Sequence, residues 1–210
     1  MLGKRNVWLP VVLLVVFAIT RWPGLMPPNF SAAYALVFCA GVYFRNRLGW
    51  WVPLAIMAVT DLSLNFFYYH VAPQWYQLSG YAAYVAIIAL GRCFKPGQSI
   101  LRLVGGGILA ALLFYLLTNT AAWLFNPFHN PEYTKSLAGW LAALITGTGA
   151  GTWPQTWEFF RNSLLSAGLF TALFAAAMKY SEHLESAEEK KQAGAEEAEE
   201  GEAEVEEAEA

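Results

Sequence analysis

Asp61 is the only aspartate in the chain, and it lies within the apolar run Trp50–Tyr69. A carboxylate at bilayer depth costs at least about 2.5–3.5 kcal/mol, so it needs a partner inside a helix bundle or a role in recognition or proton transfer. Asn65 follows one helical turn later and shares its face. A second polar group, Thr118-Asn119-Thr120 with Trp123 one turn beyond, falls near the end of the run Ile100–Phe125. Arg21 closes the first apolar run. It suits pairing with Asp61, with an anionic ligand, or with lipid headgroups. Two chemistries fit this set. One is a solute or ion cavity lined by amides, hydroxyls and an indole. The other is an interhelical hydrogen-bond cluster, in which each bond contributes only about 0.6 kcal/mol.

The elements that must hold these residues are apolar helices. Hydrophobic residues make up 57% of the 210 positions and charged residues 14%, too few charges for a soluble domain of this size. Apolar segments fall at Val7–Thr20, Phe30–Phe44, Trp50–Tyr69, Leu78–Gly91, Ile100–Phe125 and Asn162–Tyr180. Lys4 and Arg5 ahead of the first segment imitate a signal peptide, but no small-x-small cleavage site follows, so the segment reads as an uncleaved helix. A seventh apolar piece, Leu137–Ile145, is too short to span and leads into Gly-rich sequence. It reads as an interfacial or re-entrant segment packed against protein.

Charge is segregated. Through Tyr180 there are eleven basic residues against three acidic ones, net +8; beyond it, thirteen glutamates against two lysines, net −11. With six spans, Lys4, Arg5, Arg45, Arg47, Arg92, Lys95, Arg102 and Lys179 fall on one side. The positive-inside rule then places both termini in the cytoplasm. The expected fold is an all-α polytopic bundle of about six transmembrane helices over residues 1–180. A disordered Glu/Ala-rich cytoplasmic tail over 181–210 follows, because that composition cannot bury enough apolar area to offset ordering entropy. Pro- and aromatic-rich loops at Arg21–Asn29, His70–Gln77 and Asn126–Arg161 face outside, where they cap a cavity or form an aromatic belt.

Small residues mark helix contacts: Gly106 with Ala110, Gly107 with Ala111, and Ala35 with Cys39, each pair four apart. They permit close backbone approach within the bundle or against a partner. Other chemistries are not indicated. Gly147-Thr-Gly-Ala-Gly151 lacks the Lys-Ser/Thr of a phosphate loop. The three histidines are scattered, the two cysteines show no metal-ligand spacing, and no nucleophile–base–acid set is visible. No cofactor, metal or enzymatic activity is expected, and the basic loops carry too few charges for nucleic acid.

The order Arg21, Pro27-Pro28-Asn29-Phe30, the small-residue run Ala32–Gly41, Pro53 with Asp61, Thr118-Asn119-Thr120 with Trp123, then Tyr133 ahead of a short apolar stretch resembles a family of small bacterial membrane proteins. That family is uncharacterised in function and its members are labelled as transport proteins. It in turn looks like the substrate-binding S components of energy-coupling factor transporters. The resemblance implies a six-helix protein that captures a vitamin or a metal ion from outside and docks on a membrane subunit coupled to ATPases. S components often carry an Ala-x-x-x-Ala docking pair on the first helix; here the nearest candidate is Ala35/Cys39 in the second.

The sequence therefore leads to an expectation of small-solute uptake across a bacterial inner membrane. Asp61, Asn65, Asn119 and Trp123 line or gate an outward cavity, and Arg21, Asn29 and Tyr133 shape its mouth. Energy comes from a partner subunit or an ion gradient, with Asp61 as the coupling acid in the second case. A non-transporting scaffold of cell-envelope or cell-shape assembly is the competing class, in which Asp61 is a buried structural group.

Overall fold

The computed structural model describes residues 8–148 and 154–209. The chain is all-α, with no sheet among these residues. Seven helices follow one another: α1 (Trp8–Arg21), α2 (Ala33–Tyr43), α3 (Leu48–Ser63), α4 (Leu78–Arg92), α5 (Ile100–Phe125), α6 (Leu137–Ile145) and α7 (Thr156–Glu209). A π-helical turn, Leu64–Tyr69, extends α3, and a 3₁₀ turn, Trp75–Gln77, leads into α4.

Three stretches are long and apolar enough to cross a membrane: Gly49–Tyr69, Ile100–Phe125 and Thr156–Ala187. Their outward faces are apolar. Leu109 and Leu116 on α5, and Leu165, Leu169 and Leu173 on α7, are exposed at helical spacing, and Leu101 is 83% exposed. Such stripes would be a liability in water and suit lipid contact. The other helices are too short to cross a membrane alone, and α2 is also shorter than its apolar segment. α2 has 11 residues where Phe30–Phe44 is apolar, and α4 has 15, against the roughly 20 that a bilayer core requires. Pro27-Pro28 and the turn at Asn29 take up the first part of that apolar run, because proline cannot continue a helix.

α2 is the hub. Nine of its 11 residues are buried, so it is enclosed on all sides. It packs against α1, α3, α4, α5 and α7. Its closest neighbour is α4, and glycines make that approach possible. A Cβ on Gly41 would strike the Ile88 carbonyl oxygen and lie 3.1 Å from the Gly91 Cα; one on Gly91 would strike the Phe38 carbonyl oxygen. This Gly41/Gly91 crossing pairs one glycine from each helix, a pattern that spacing within a single helix does not reveal. Of the anticipated small residues, Gly106 receives the Phe38 and Phe94 rings and Gly107 receives Thr171 of α7. Ala110, Ala111, Ala35 and Cys39 are buried as well. All six lie in contacts internal to the chain, so they leave no stripe open to a partner.

The two ends of the bundle differ. At the end where α2 stops and α5 starts, Arg45 donates to the carbonyls of Arg92, at 2.5 Å, and Phe94. Arg92 donates back to the Arg45 carbonyl at 2.7 Å and stacks over Trp50. The two basic loops are thus clamped together. At the other end, Thr20 Oγ1 accepts from the Ala32 amide at 3.0 Å, and Asn162 at the start of α7 donates to the Pro28 carbonyl at 3.0 Å. α6 lies against α5, with the Trp140 indole donating to Thr120 Oγ1 at 2.9 Å. At nine residues it does not span.

Past Tyr180 the backbone stays helical through the acidic segment as far as Glu209, where composition suggests a disordered tail. Glu and Ala are strong helix formers, and a segment that continues an existing helix needs no new nucleus.

Gly91→Leu is expected to destabilise the bundle by about 3 kcal/mol or more, since overpacking here meets backbone rather than a movable side chain. It should lower the thermal midpoint in detergent and broaden the size-exclusion peak. Gly97→Ala, at a site with open space around it, should leave both unchanged.

Candidate functional site

The site is built from the ends of α1, α2, α5 and α7 away from the Arg45–Arg92 clamp, and the loops between them. The turn Pro27-Pro28-Asn29-Phe30 closes with the Phe30 amide donating to the Pro27 carbonyl at 2.9 Å. Asn29 takes the left-handed conformation, φ 60°, which asparagine tolerates better than most residues. The loop after α5 is tied by Asn126, also left-handed. Its amide group both accepts from the Asn130 amide, at 2.8 Å, and donates to the Asn130 carbonyl, at 3.0 Å. These two turns carry Asn29, Phe128, Asn130 and Tyr133 over the ends of the helices.

Beneath them lies a cavity of about 720 Å³. Its walls include Asn29, Tyr34, Phe114, Asn119, Tyr133 and Ser163. Aromatic rings fix its shape: Tyr34 meets Phe114 edge-on at 5.0 Å, and Tyr115 stacks on Phe160 at 4.1 Å. The Tyr115 hydroxyl donates to the Leu144 carbonyl, tying α6 to α5. Ser163 donates to the Tyr34 hydroxyl at 3.3 Å. The Asn119 amide nitrogen donates to the Tyr115 carbonyl at 2.8 Å within α5. No charged side chain lines this cavity among the described residues. Tyr133, on the loop, has its phenol pushed up by burial and by Glu132, so it remains a neutral hydrogen-bond donor. The Gly147–Gly151 stretch lies partly outside the described residues; Gly147 and Thr148 border the cavity.

Arg21 and Asp61 form an ion pair, with side chains 16% and 21% exposed. The second carboxylate oxygen of Asp61 accepts from the Tyr81 hydroxyl at 3.0 Å. Arg21 also lies 3.8 Å from the Met57 sulfur and over the Phe17 ring. The pair joins α1 to α3, with Tyr81 adding α4. It lies beside a second cavity, of about 580 Å³, whose wall includes Arg21, Asn29 and Tyr84.

The residues singled out in the sequence thus separate. Asn29, Asn119 and Tyr133 converge on one cavity, and Arg21 and Asn29 on its neighbour. Asp61 lines neither cavity, because its oxygens are taken up by Arg21 and Tyr81. Asn65, 7% exposed, is sealed in a reciprocal amide pair with Gln77, at 3.2 and 3.4 Å. The π-helical turn begins after Asp61 and alters the simple one-turn register on which their shared face depended. The Trp123 indole donates to the Thr134 carbonyl at 2.6 Å, and Lys135 caps the end of α5 at the Trp123 carbonyl. Trp123 therefore fastens the loop and does not face the cavity. Tyr34, Phe114, Phe159 and Ser163 line the cavity without having been singled out. In sequence they are indistinguishable from core aromatics and helix serines.

Asp61→Asn should leave the Arg21 guanidinium half-buried without its counter-ion and lower stability by about 3 kcal/mol. Thermal unfolding in detergent should show that Arg21→Gln/Asp61→Asn together lose clearly less than the sum of the single losses. Additive losses would mean that the two side chains do not interact.

No curated protein matches the chain. A model for a family of unknown function, DUF6580, matches residues 2–189. With nearly the whole described bundle inside that match, the chain belongs to the DUF6580 family, whose function is unknown.

Proposed function

We propose that this protein is a carrier of the bacterial inner membrane that binds a small uncharged solute in the cavity at the Asn29–Asn119–Tyr133 end and moves it inward. The observation that carries this reading is the cavity itself: about 720 Å³, walled by aromatic rings, amides and hydroxyls, at the end of the bundle away from the Arg45–Arg92 clamp. By the positive-inside rule the clamp faces the cytoplasm and the cavity opens outside. Rings and neutral donors suit a planar or partly apolar solute, and the size suits a vitamin-type molecule.

In this reading the chain crosses the membrane six times, with the shorter helices α1, α2 and α4 supported by their neighbours, and both termini are cytoplasmic. It catalyses no reaction. The resemblance to S components supplies the energetics: an energising membrane subunit with ATPases would drive release. Asp61 holds the bundle together as the partner of Arg21 and is not the coupling acid. That role for Asp61 is also what favours the second reading, a membrane scaffold of cell-envelope assembly, in which a buried ion pair needs no ligand.

The test is a thermal-shift screen of uncharged aromatic solutes on the protein in nanodiscs. Stabilisation of the wild type, with affinity reduced at least about tenfold in Asn119→Leu at unchanged basal stability, supports the carrier; that factor corresponds to the loss of one or two hydrogen bonds. A wild type that responds to none of the solutes favours the scaffold.

A further inference from the structure

The cavity described above is the middle of three. It shares Asn29, Tyr34, Phe114 and Phe159 with the Arg21 cavity. On its other side it shares Thr118, Phe128, Asn130, Tyr133 and Thr148 with a third cavity of about 620 Å³. The third is the most apolar: beyond the shared residues its walls include Trp75, Leu78, Ala82, Ala122 and Phe125. Trp75 and Phe125 meet edge-on at 5.8 Å. The three form one row, with a guanidinium at one end, amides, hydroxyls and rings in the middle, and an apolar pocket at the other end.

Arg21 is the only charged residue among the described walls of this row. It has more donors than strong acceptors. Asp61 takes one Nη2 bond, the Tyr84 hydroxyl is a second oxygen acceptor, Met57 offers a thioether sulfur, a weak acceptor, and Nε is buried with no hydrogen-bond partner. Its charge, however, is already balanced by Asp61. A ligand carboxylate placed here would leave the site with net −1 in a low-dielectric surround, whereas a carbonyl would use the spare N–H groups at no charge cost.

From this arrangement we infer that the three cavities form a single elongated site for an uncharged amphiphile, whose carbonyl-type acceptor head lies at Arg21 and whose apolar end lies between Trp75 and Phe125. This rests on the solute-binding reading and names the ligand class for it. The Arg21–Asp61 pair then sets head-group choice, and Asp61 acts without touching the ligand.

The experiment compares phenylhexanamide with phenylhexanoate, and benzamide as a short control, by thermal shift in nanodiscs at neutral pH. The wild type should bind the amide at least tenfold more tightly than the carboxylate. Asp61→Asn should reverse that order, since it leaves Arg21 uncompensated. Ala122→Trp, which fills the apolar end, should weaken phenylhexanamide at least tenfold and leave benzamide unchanged; this arm decides the matter if Asp61→Asn does not fold. Equal or tighter binding of the carboxylate by the wild type overturns the head assignment, while solute binding itself stands. An unchanged phenylhexanamide affinity in Ala122→Trp overturns the elongated site. A wild type that binds benzamide but neither long probe overturns this inference and leaves the smaller central site.

Discussion

A charge within an apolar helix needs a partner, and in this chain that constraint is met by one contact, Arg21 with Asp61. The two residues are forty positions apart and belong to different helices. Bringing them together fixes where the end of α1 lies against α3, and the Tyr81 hydroxyl extends the same constraint to α4. Both oxygens of Asp61 are engaged, one by Arg21 and the other by the Tyr81 hydroxyl. The position of α1 matters for the site, because the segment that follows Arg21 makes the Pro27–Phe30 turn and carries Asn29 over the cavities.

A second constraint acts through size. α2 is enclosed by five other helices and can be so only because its neighbours approach closely. At Gly41 and Gly91 the two backbones touch, and at Gly106 and Gly107 the rings of Phe38 and Phe94 and the side chain of Thr171 take the missing volume. Dispersion at such contacts, more than the hydrophobic effect, holds helices together in lipid. The tight packing stops at the end away from the Arg45–Arg92 clamp. There the elements that meet are turns and aromatic rings, whose shapes do not interlock, and the cavities remain.

Much of the frame was legible. The positions of the apolar segments and the brevity of Leu137–Ile145 are properties of local composition, and they have counterparts in the described helices. The importance of Asp61 was legible too, because the cost of an isolated charge can be read without a structure. Its role was not. Whether Asp61 faces a cavity or a counter-ion depends on the rotation of α3 relative to α1, which no spacing within α3 encodes. Asn65 shows the same limit at shorter range: a π-helical turn changed its register, and Gln77 rather than Asp61 became its partner. The acidic tail differs again: its composition speaks to burial, while its backbone through Glu209 is helical, as the propensity of Glu and Ala favours.

The sequence by itself determined that the chain is helical and apolar on its outward faces, that its charge is divided between a basic body and an acidic end, and that one acid within the apolar part had to be paired. These follow from solvation and propensity, which act residue by residue. Only the tertiary structure decided which residues meet: Arg21 with Asp61, Gly41 with Gly91, and Asn29, Asn119 and Tyr133 around a common space. The physical reason is that a cavity and an ion pair are relations between surfaces of separate helices, set by how those helices rotate and cross, and that geometry is settled by packing across the whole bundle at once.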